Sequence, residues 1–465
     1  ISGGLGTTFS EAHAFLEIPI VKNRLSVLAS GRKTLSPVWQ TPTLSKYSVK
    51  VFQDSKVTDI EEPETTQELD FYDWNAKILF RPTDQILIKG GFFESANQYN
   101  FDVPIFDDDF NSIDIVDFKS KAMNLSGAFD FSEKWKSNLI YTQSEYRNDF
   151  QFALIENESE DVIEFNNVFN DIKDQTFSFS NELNLNPNWD FRFGYEYNQK
   201  AVNFNIEYLS EYEDDHEDFN FVEGHFHNVF TSFQYQNEQF QLNGGIRATR
   251  YNETDSLAFS PRINAQFAVN NTLKLKFSAG ILQQYIGQLR QFGDNGLGIE
   301  NPVWILNESE TETNQEAKKI SGGMVFRKNG WLIDVEGYFN KTEGLNTLNP
   351  LFGRDVEVPD FAHGNSTAKG VDFLLKKHWG GFHSWLNYAL SEVNFLFPDI
   401  DPNSFPGSND LRHNLSFINS YNWKNWIFSV SYQYRTGLRF SEPTEVDMYY
   451  DENDDPVYEI IYEKF

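Results

Sequence analysis

Residues 176–197 read TFSFSNELNLNPNWDFRFGYEY. Phe177, Phe179, Leu183 and Leu185 fall on one side of an extended chain, and Ser178, Ser180, Glu182 and Asn184 on the other. Successive strand side chains alternate between faces, so this period of two marks a strand with one apolar and one wet face. The turn Asn186-Pro187-Asn188-Trp189 follows, and the alternation resumes with Phe191, Phe193, Tyr195 and Tyr197 against Arg192, Gly194 and Glu196. The stretch is a β-hairpin.

The same unit recurs along the chain. Ile263, Ala265, Phe267 and Val269 lead through Asn270-Asn271 into Leu273, Leu275 and Phe277, and Met123, Leu125, Phe129 and Phe131 precede a turn at Ser132-Glu133-Lys134. Further short turns fall at Val21-Lys22-Asn23, Arg81-Pro82-Thr83-Asp84, Gln236-Asn237-Glu238, Lys328-Asn329-Gly330, Trp379-Gly380-Gly381 and Trp423-Lys424-Asn425. Nine hairpins give about eighteen strands, each expected to run roughly ten residues, the length that crosses a bilayer at a tilt. Between hairpins the spacing suggests long loops: Lys33 to Asp70, Ser95 to Phe118, Tyr146 to Lys173, Gln199 to Gly224 and Gly287 to Glu316. Short turns at one end and long loops at the other characterise an outer-membrane barrel. Six of the ten tryptophans (Trp135, Trp189, Trp331, Trp379, Trp423 and Trp426) sit at or beside the short turns, where an interfacial girdle belongs. The expected fold is all-β: a transmembrane antiparallel up-and-down β-barrel occupying residues 1–465 as one domain.

Composition is consistent with this. No run of about eighteen apolar residues is present, so no helix of the sequence spans a membrane. A mean hydropathy of −0.52 fits strands whose two faces average out. The absence of cysteine excludes disulfides, thiolate metal sites and a cysteine nucleophile. Sixty-nine acidic against thirty-eight basic residues argue against nucleic-acid binding, which needs a cationic surface.

Several segments resemble TonB-dependent receptors of the kind abundant in Bacteroidetes. Glu17-Ile18-Pro19-Ile20, Lys22-Asn23-Arg24-Leu25-Ser26 and Ser30-Gly31-Arg32 resemble the family's first barrel hairpin. Ser260-Pro261-Arg262-Ile263, Phe277-Ser278-Ala279-Gly280, Glu316-Ala317, Gly337-Tyr338-Phe339, Lys369-Gly370-Val371-Asp372, Asp410-Leu411-Arg412-His413 and Arg435-Thr436-Gly437 follow in family order. The resemblance implies a twenty-two-stranded barrel with an N-terminal plug, so the chain reads as a partial barrel lacking the plug and about the last four strands. It further implies an outer-membrane location and uptake of an extracellular nutrient: a ferric siderophore, cobalamin, an oligosaccharide or a peptide. The implied partners are the TonB-ExbB-ExbD energy-coupling complex, reached through the plug, outer-membrane lipids and a surface lipoprotein. The rival readings are a scaffold barrel in an outer-membrane assembly, a passive porin and a soluble all-β binding protein.

Residues that could carry chemistry are few. No nucleophile elbow, zinc-protease helix or phosphate loop occurs, and nothing selects a glycosidase pair among the carboxylates, so no enzyme is expected. His225 and His227, with Glu223, could share a metal, but hydrogen bonding to neighbours is the simpler expectation. Acidic runs at 61–64, 107–109, 158–161, 211–218 and 451–455 suit a solvated surface, and secondarily loop-bound calcium; no other cofactor is expected. Alternation places Arg192, Arg247, Arg262, Lys274 and Lys276 towards the lumen, either as a basic wall for an anionic cargo or paired with carboxylates. Substrate contacts are expected from loop side chains Tyr208, Tyr212, Gln288, Arg290, Phe292 and Trp304, with the stretch from Gln288 to Trp304 the first choice.

Overall fold

The computed structural model describes residues 1–36, 66–105, 110–159, 161–210, 216–289, 303–307, 314–348, 361–407, 410–437, 443–450 and 456–462. Its described elements are all strands: β1 (Ser2–Thr7), β2 (Glu11–Val21), β3 (Leu25–Thr34), β4 (Thr66–Thr83), β5 (Ile86–Ile105), β6 (Phe110–Ser132), β7 (Trp135–Glu156), β8 (Val162–Asn186), β9 (Trp189–Ser210), β10 (His216–Gln236), β11 (Phe240–Tyr251) and β12 (Ser256–Ala268). These continue with β13 (Leu273–Gln284), β14 (Ile286–Leu289), β15 (Val303–Leu306), β16 (Gln315–Lys328), β17 (Trp331–Leu348), β18 (Phe361–Trp379), β19 (Phe382–Leu396), β20 (Phe405–Pro406), β21 (His413–Trp423), β22 (Trp426–Arg435), β23 (Pro443–Tyr450) and β24 (Pro456–Tyr462). The chain forms two compact units, one of Ile1–Phe233, Ile246–Phe259 and Tyr285–Thr313, the other of Gln234–Gly245, Ser260–Gln284 and Asn314–Phe465.

In the first unit β1 to β10 pair in chain order as an antiparallel meander. The second unit repeats the arrangement from β12 and β13 through β16, β17, β18, β19, β21 and β22, with β20 beside β19 and β23–β24 as a separate hairpin. Each of the nine short turns read from sequence joins two strands. Their residues explain why the chain reverses there. Asn329 and Gly330 both adopt positive φ (50° and 77°), the requirement of a two-residue turn whose twist matches the strands. A Cβ on Gly330 would lie 2.6 Å from the His378 carbonyl oxygen. Asn270 accepts the backbone N–H groups of Thr272 and Leu273 on its side-chain oxygen, replacing ladder partners that the turn removes.

Strand length differs from expectation. β6 to β10 run 21 to 25 residues, about twice the expected span. Much of what reads as loop in the stretches 95–118, 146–173 and 199–224 is therefore paired strand. The cause is an exchange of faces partway along. Leu125, Tyr141, Phe177 and Tyr197 form one cross-strand row, and Leu139, Phe179 and Tyr195 the next, all on one face. That face is uncovered: Leu125 is 57% exposed. Nine residues further along β6 the apolar row is Tyr99, Val116, Phe150, Val168 and Ile206, which lies on the opposite face. There Val116, Phe150, Val168 and Ile206 are buried. In β9 the switch falls between Tyr197 and Val202, beyond which the first face carries Gln199, Asn203, Asn205 and Glu207. The alternation keeps its period but changes phase, so sequence reading stops at the exchange.

The uncovered apolar rows predict that their solvent is lipid. Leu125→Arg should lower the stability of protein refolded into phospholipid vesicles by roughly 2–4 kcal/mol, whereas Asn124→Lys, on the other face, should cost less than about 1 kcal/mol. Urea unfolding followed by tryptophan fluorescence measures both.

Candidate functional site

Two arrangements of polar and aromatic groups stand out, one in each unit. In the first, β14 and β15 pair as a hairpin, with Gln288 opposite Trp304, and this hairpin packs on β8 and β9. Asn170, fully buried in β8, fixes it. Its amide nitrogen donates to the carbonyl oxygens of Trp304 (3.1 Å) and Asn203 (3.0 Å), and its side-chain oxygen accepts the Trp304 N–H at 2.9 Å. An asparagine offers both a donor and an acceptor, so it can close on one residue's two backbone groups like a short strand. Beside it Val202, Val222, Phe226, Tyr251 and Leu306 form a buried cluster on which Ile172, Tyr285, Ile286 and Trp304 pack. Phe226 and Tyr251 stack with centroids 4.4 Å apart, and Tyr285 meets Tyr251 edge-on at 5.4 Å. The Tyr251 hydroxyl donates to the Asn307 carbonyl oxygen. Gly224 is required where it stands, because a Cβ would come within 2.9 Å of both Tyr251 and Leu306.

In the second unit, Lys276 of β13 lies between Asp334, 2.7 Å away, and Glu336, both of β17. Asp372 is directly opposite Glu336 in the β17–β18 register. These four line a recess of about 460 Å³ whose wall continues through Asn387, Tyr388, Asn414 and Gln433. One ammonium against three carboxylates makes this recess acidic, not basic.

The expected basic wall is thus divided. Lys276 is paired as described, and Arg247 binds Glu196 at 2.8 Å. Arg192 approaches the Ser180 hydroxyl at 3.4 Å, and both arginines lie over the Phe230 ring. Arg262 and Lys274 are exposed and enter none of the ion pairs formed among the described residues. Of the expected loop contacts, Gln288 is exposed and Trp304 half-buried in the hairpin. Tyr208 belongs to β9, opposite Asn166, not to a loop. Tyr212, Arg290 and Phe292 lie outside the described residues, as do the acidic runs at 61–64, 107–109 and 451–455.

His225 and His227 have separate partners. His225 Nδ1 sits 2.7 Å from Glu253 and Nε2 3.2 Å from Glu223, while His227 Nδ1 meets the Tyr195 hydroxyl at 2.7 Å. Among the described residues no three His, Asp or Glu side chains are placed to hold a metal ion. Beyond the face exchange, burial pushes the Asp149 carboxyl above its usual range, and Asp117, opposite it in register, adds to the shift.

Sequence reading missed Asn170, Tyr251 and the carboxylates around Lys276. Asn170 and Trp304 are 134 residues apart, so no local pattern connects them. Asp334 and Glu336 were legible as the polar members of an alternating strand, Ile333, Asp334, Val335, Glu336.

An antiparallel meander with an uncovered apolar face and a polar opposite face is the arrangement of a transmembrane β protein. The chain belongs to the TonB dependent receptor-like, beta-barrel family, whose profile matches residues 51–458. Among curated proteins, no sequence matches the chain. Solved structures of similar fold include the ferric yersiniabactin uptake receptor FyuA from Yersinia pestis (TM-score 0.62, 10% identity) and the FrpB iron transporter from Neisseria meningitidis (0.60, 11%). The copper transporter OprC is a third (0.61, 9%). FyuA and FrpB align over 91% of this chain and OprC over 93%, in each case covering 66% of the receptor, so the chain spans just under two thirds of their length.

Two substitutions probe these arrangements. Asn170→Ala leaves the Trp304 N–H and carbonyl without their partner and should loosen the hairpin by about 1–3 kcal/mol, read as faster amide exchange at Trp304 and Leu306. Lys276→Met leaves facing carboxylates uncompensated. Because the three side chains retain about a quarter to a third of their exposure, the loss should be roughly 1–2 kcal/mol, below the 3–5 of a fully buried pair. The urea midpoint in vesicles reads it, and Asp334→Asn on the Lys276→Met background should recover part.

Proposed function

We propose that the protein of which this chain is part is an energy-coupled outer-membrane receptor that binds a scarce nutrient outside the cell and admits it to the periplasm. Membership of the receptor barrel family over residues 51–458 is the observation that carries this reading. The uncovered apolar rows supply the lipid-facing surface that such a location needs. Passage is binding followed by gated release, with energy supplied through the TonB-ExbB-ExbD complex, and no bond in the cargo need be broken. The cargo class we favour is a chelated metal ion, because FyuA is a ferric yersiniabactin uptake receptor and FrpB and OprC are iron and copper transporters. A surface lipoprotein remains the proposed outer partner.

Uptake of labelled ferric siderophores by cells with and without the gene, each with and without a proton uncoupler, tests the reading. Gene-dependent uptake abolished by the uncoupler supports it. Gene-dependent uptake that survives the uncoupler identifies a passive pore, and a gene whose loss alters no uptake across metal chelates, cobalamin, oligosaccharides and peptides identifies a scaffold.

A further inference from the structure

Within the second unit, four short turns share a charge pattern that contradicts the rest of the chain. Segments 268–275, 325–332, 376–383 and 421–428 hold Lys274, Arg327, Lys328, Lys376, Lys377 and Lys424, and no acidic residue. The whole chain carries sixty-nine acids and thirty-eight bases. Solubility gives no reason to gather cations in consecutive turns of so acidic a protein.

Strand register shows what these turns share besides charge. Trp331 is opposite Lys377, Trp379 opposite Phe382, Phe382 opposite Tyr421, and Trp423 opposite Trp426. Residues paired across strands share a face, and this one continues into Val335 and the exposed Met324. The rim is therefore aromatic, uncovered (Trp426 is 64% exposed) and contiguous with the apolar belt. Two lysines are held at it. Lys377 Nζ lies 4.4 Å from the centre of the Trp331 ring and donates to the Asn329 carbonyl oxygen at 2.9 Å. Lys424, at positive φ in its turn, lies 5.3 Å from the centre of the Trp423 ring. An ammonium has three N–H donors, and the Asn329 carbonyl occupies one of those on Lys377, leaving two for a ligand. Trp–Lys pairs at the edge of an apolar belt stand at headgroup depth.

We propose that this rim binds anionic phospholipid, with Lys377 and Lys424 each holding a headgroup phosphate and Trp331, Trp379 and Trp423 lying against the glycerol and upper acyl region. The site rests on the outer-membrane reading and adds a lipid preference to it. A zwitterionic headgroup carries its own cation and satisfies the lysines less well. Each lysine near an anionic surface favours partitioning about fivefold.

Native mass spectrometry of the full-length parent protein, inserted into vesicles of equal parts phosphatidylethanolamine and phosphatidylglycerol and then released in detergent, tests the proposal. The protein should retain phosphatidylglycerol preferentially, and excess inorganic phosphate should not displace it. The double variant Lys377→Gln/Lys424→Gln should lower the preference by roughly 20-fold, and Lys377→Arg/Lys424→Arg should keep it. Equal retention of the two lipids by protein that inserts normally overturns the lipid site, leaves the membrane reading standing, and points instead to an acidic protein segment at the rim. Failure of the unaltered parent protein to insert overturns the membrane reading itself.

Discussion

Inside hydrocarbon a backbone N–H or C=O has no water to turn to, and each unpaired group costs several kcal/mol. A strand there is tolerated only when both neighbours complete its ladder. That requirement accounts for the regularity of β4 to β9, whose pairing runs with few irregularities over lengths of 18 to 25 residues. It also accounts for the tight, polar turns at one end, since a short turn loses few ladder bonds and its own asparagine or glycine replaces them. The two-residue side-chain period follows from the same geometry, and with it the separation of an apolar and a charged face.

Where that separation is simple, the fold could be read from sequence. All nine short hairpin turns are legible because alternation and turn chemistry are local signals. The strand extensions are not, because apolar residues pass from one face to the other near Tyr197, and from Leu125 to Val116 in β6. A reader following one phase sees the pattern end in a polar stretch and infers a loop. The hairpin site was harder still. The stretch from Gln288 to Trp304 reads as a contact loop from its aromatics and length, but the contact that places β15, Asn170 with Trp304, joins positions 134 apart. Charge was legible by face and not by partner: Lys276 could be assigned a side of its strand, whereas its position between Asp334 and Glu336 depends on the β13–β16–β17 registers.

The two arrangements built on this scaffold differ in kind. At β14–β15 an amide clamp and an aromatic cluster fix a loop stem against a wall, so the stem's position does not depend on its exposed neighbours. Around Lys276 the groups are charged, partly wet and outnumbered by carboxylates, so the local field attracts cations and basic groups. A family whose members differ in cargo can keep such a frame and vary what projects from it.

The exchange of faces has a consequence for how the molecule sits. A strand with one apolar face throughout could slide along its axis with little change in what lipid and water touch. Here Tyr197 belongs in oil and Gln199, two residues or about 7 Å further along the same face, belongs in water. A corresponding transition follows Tyr141 in β7, where the same face next carries Gln143, Glu145, Arg147 and Asp149. Neighbouring strands thus carry a common waterline, and movement by one ladder step in either direction would submerge carboxylates or surface aromatics. The sequence acts as a depth gauge, fixing the height at which the protein floats in its bilayer.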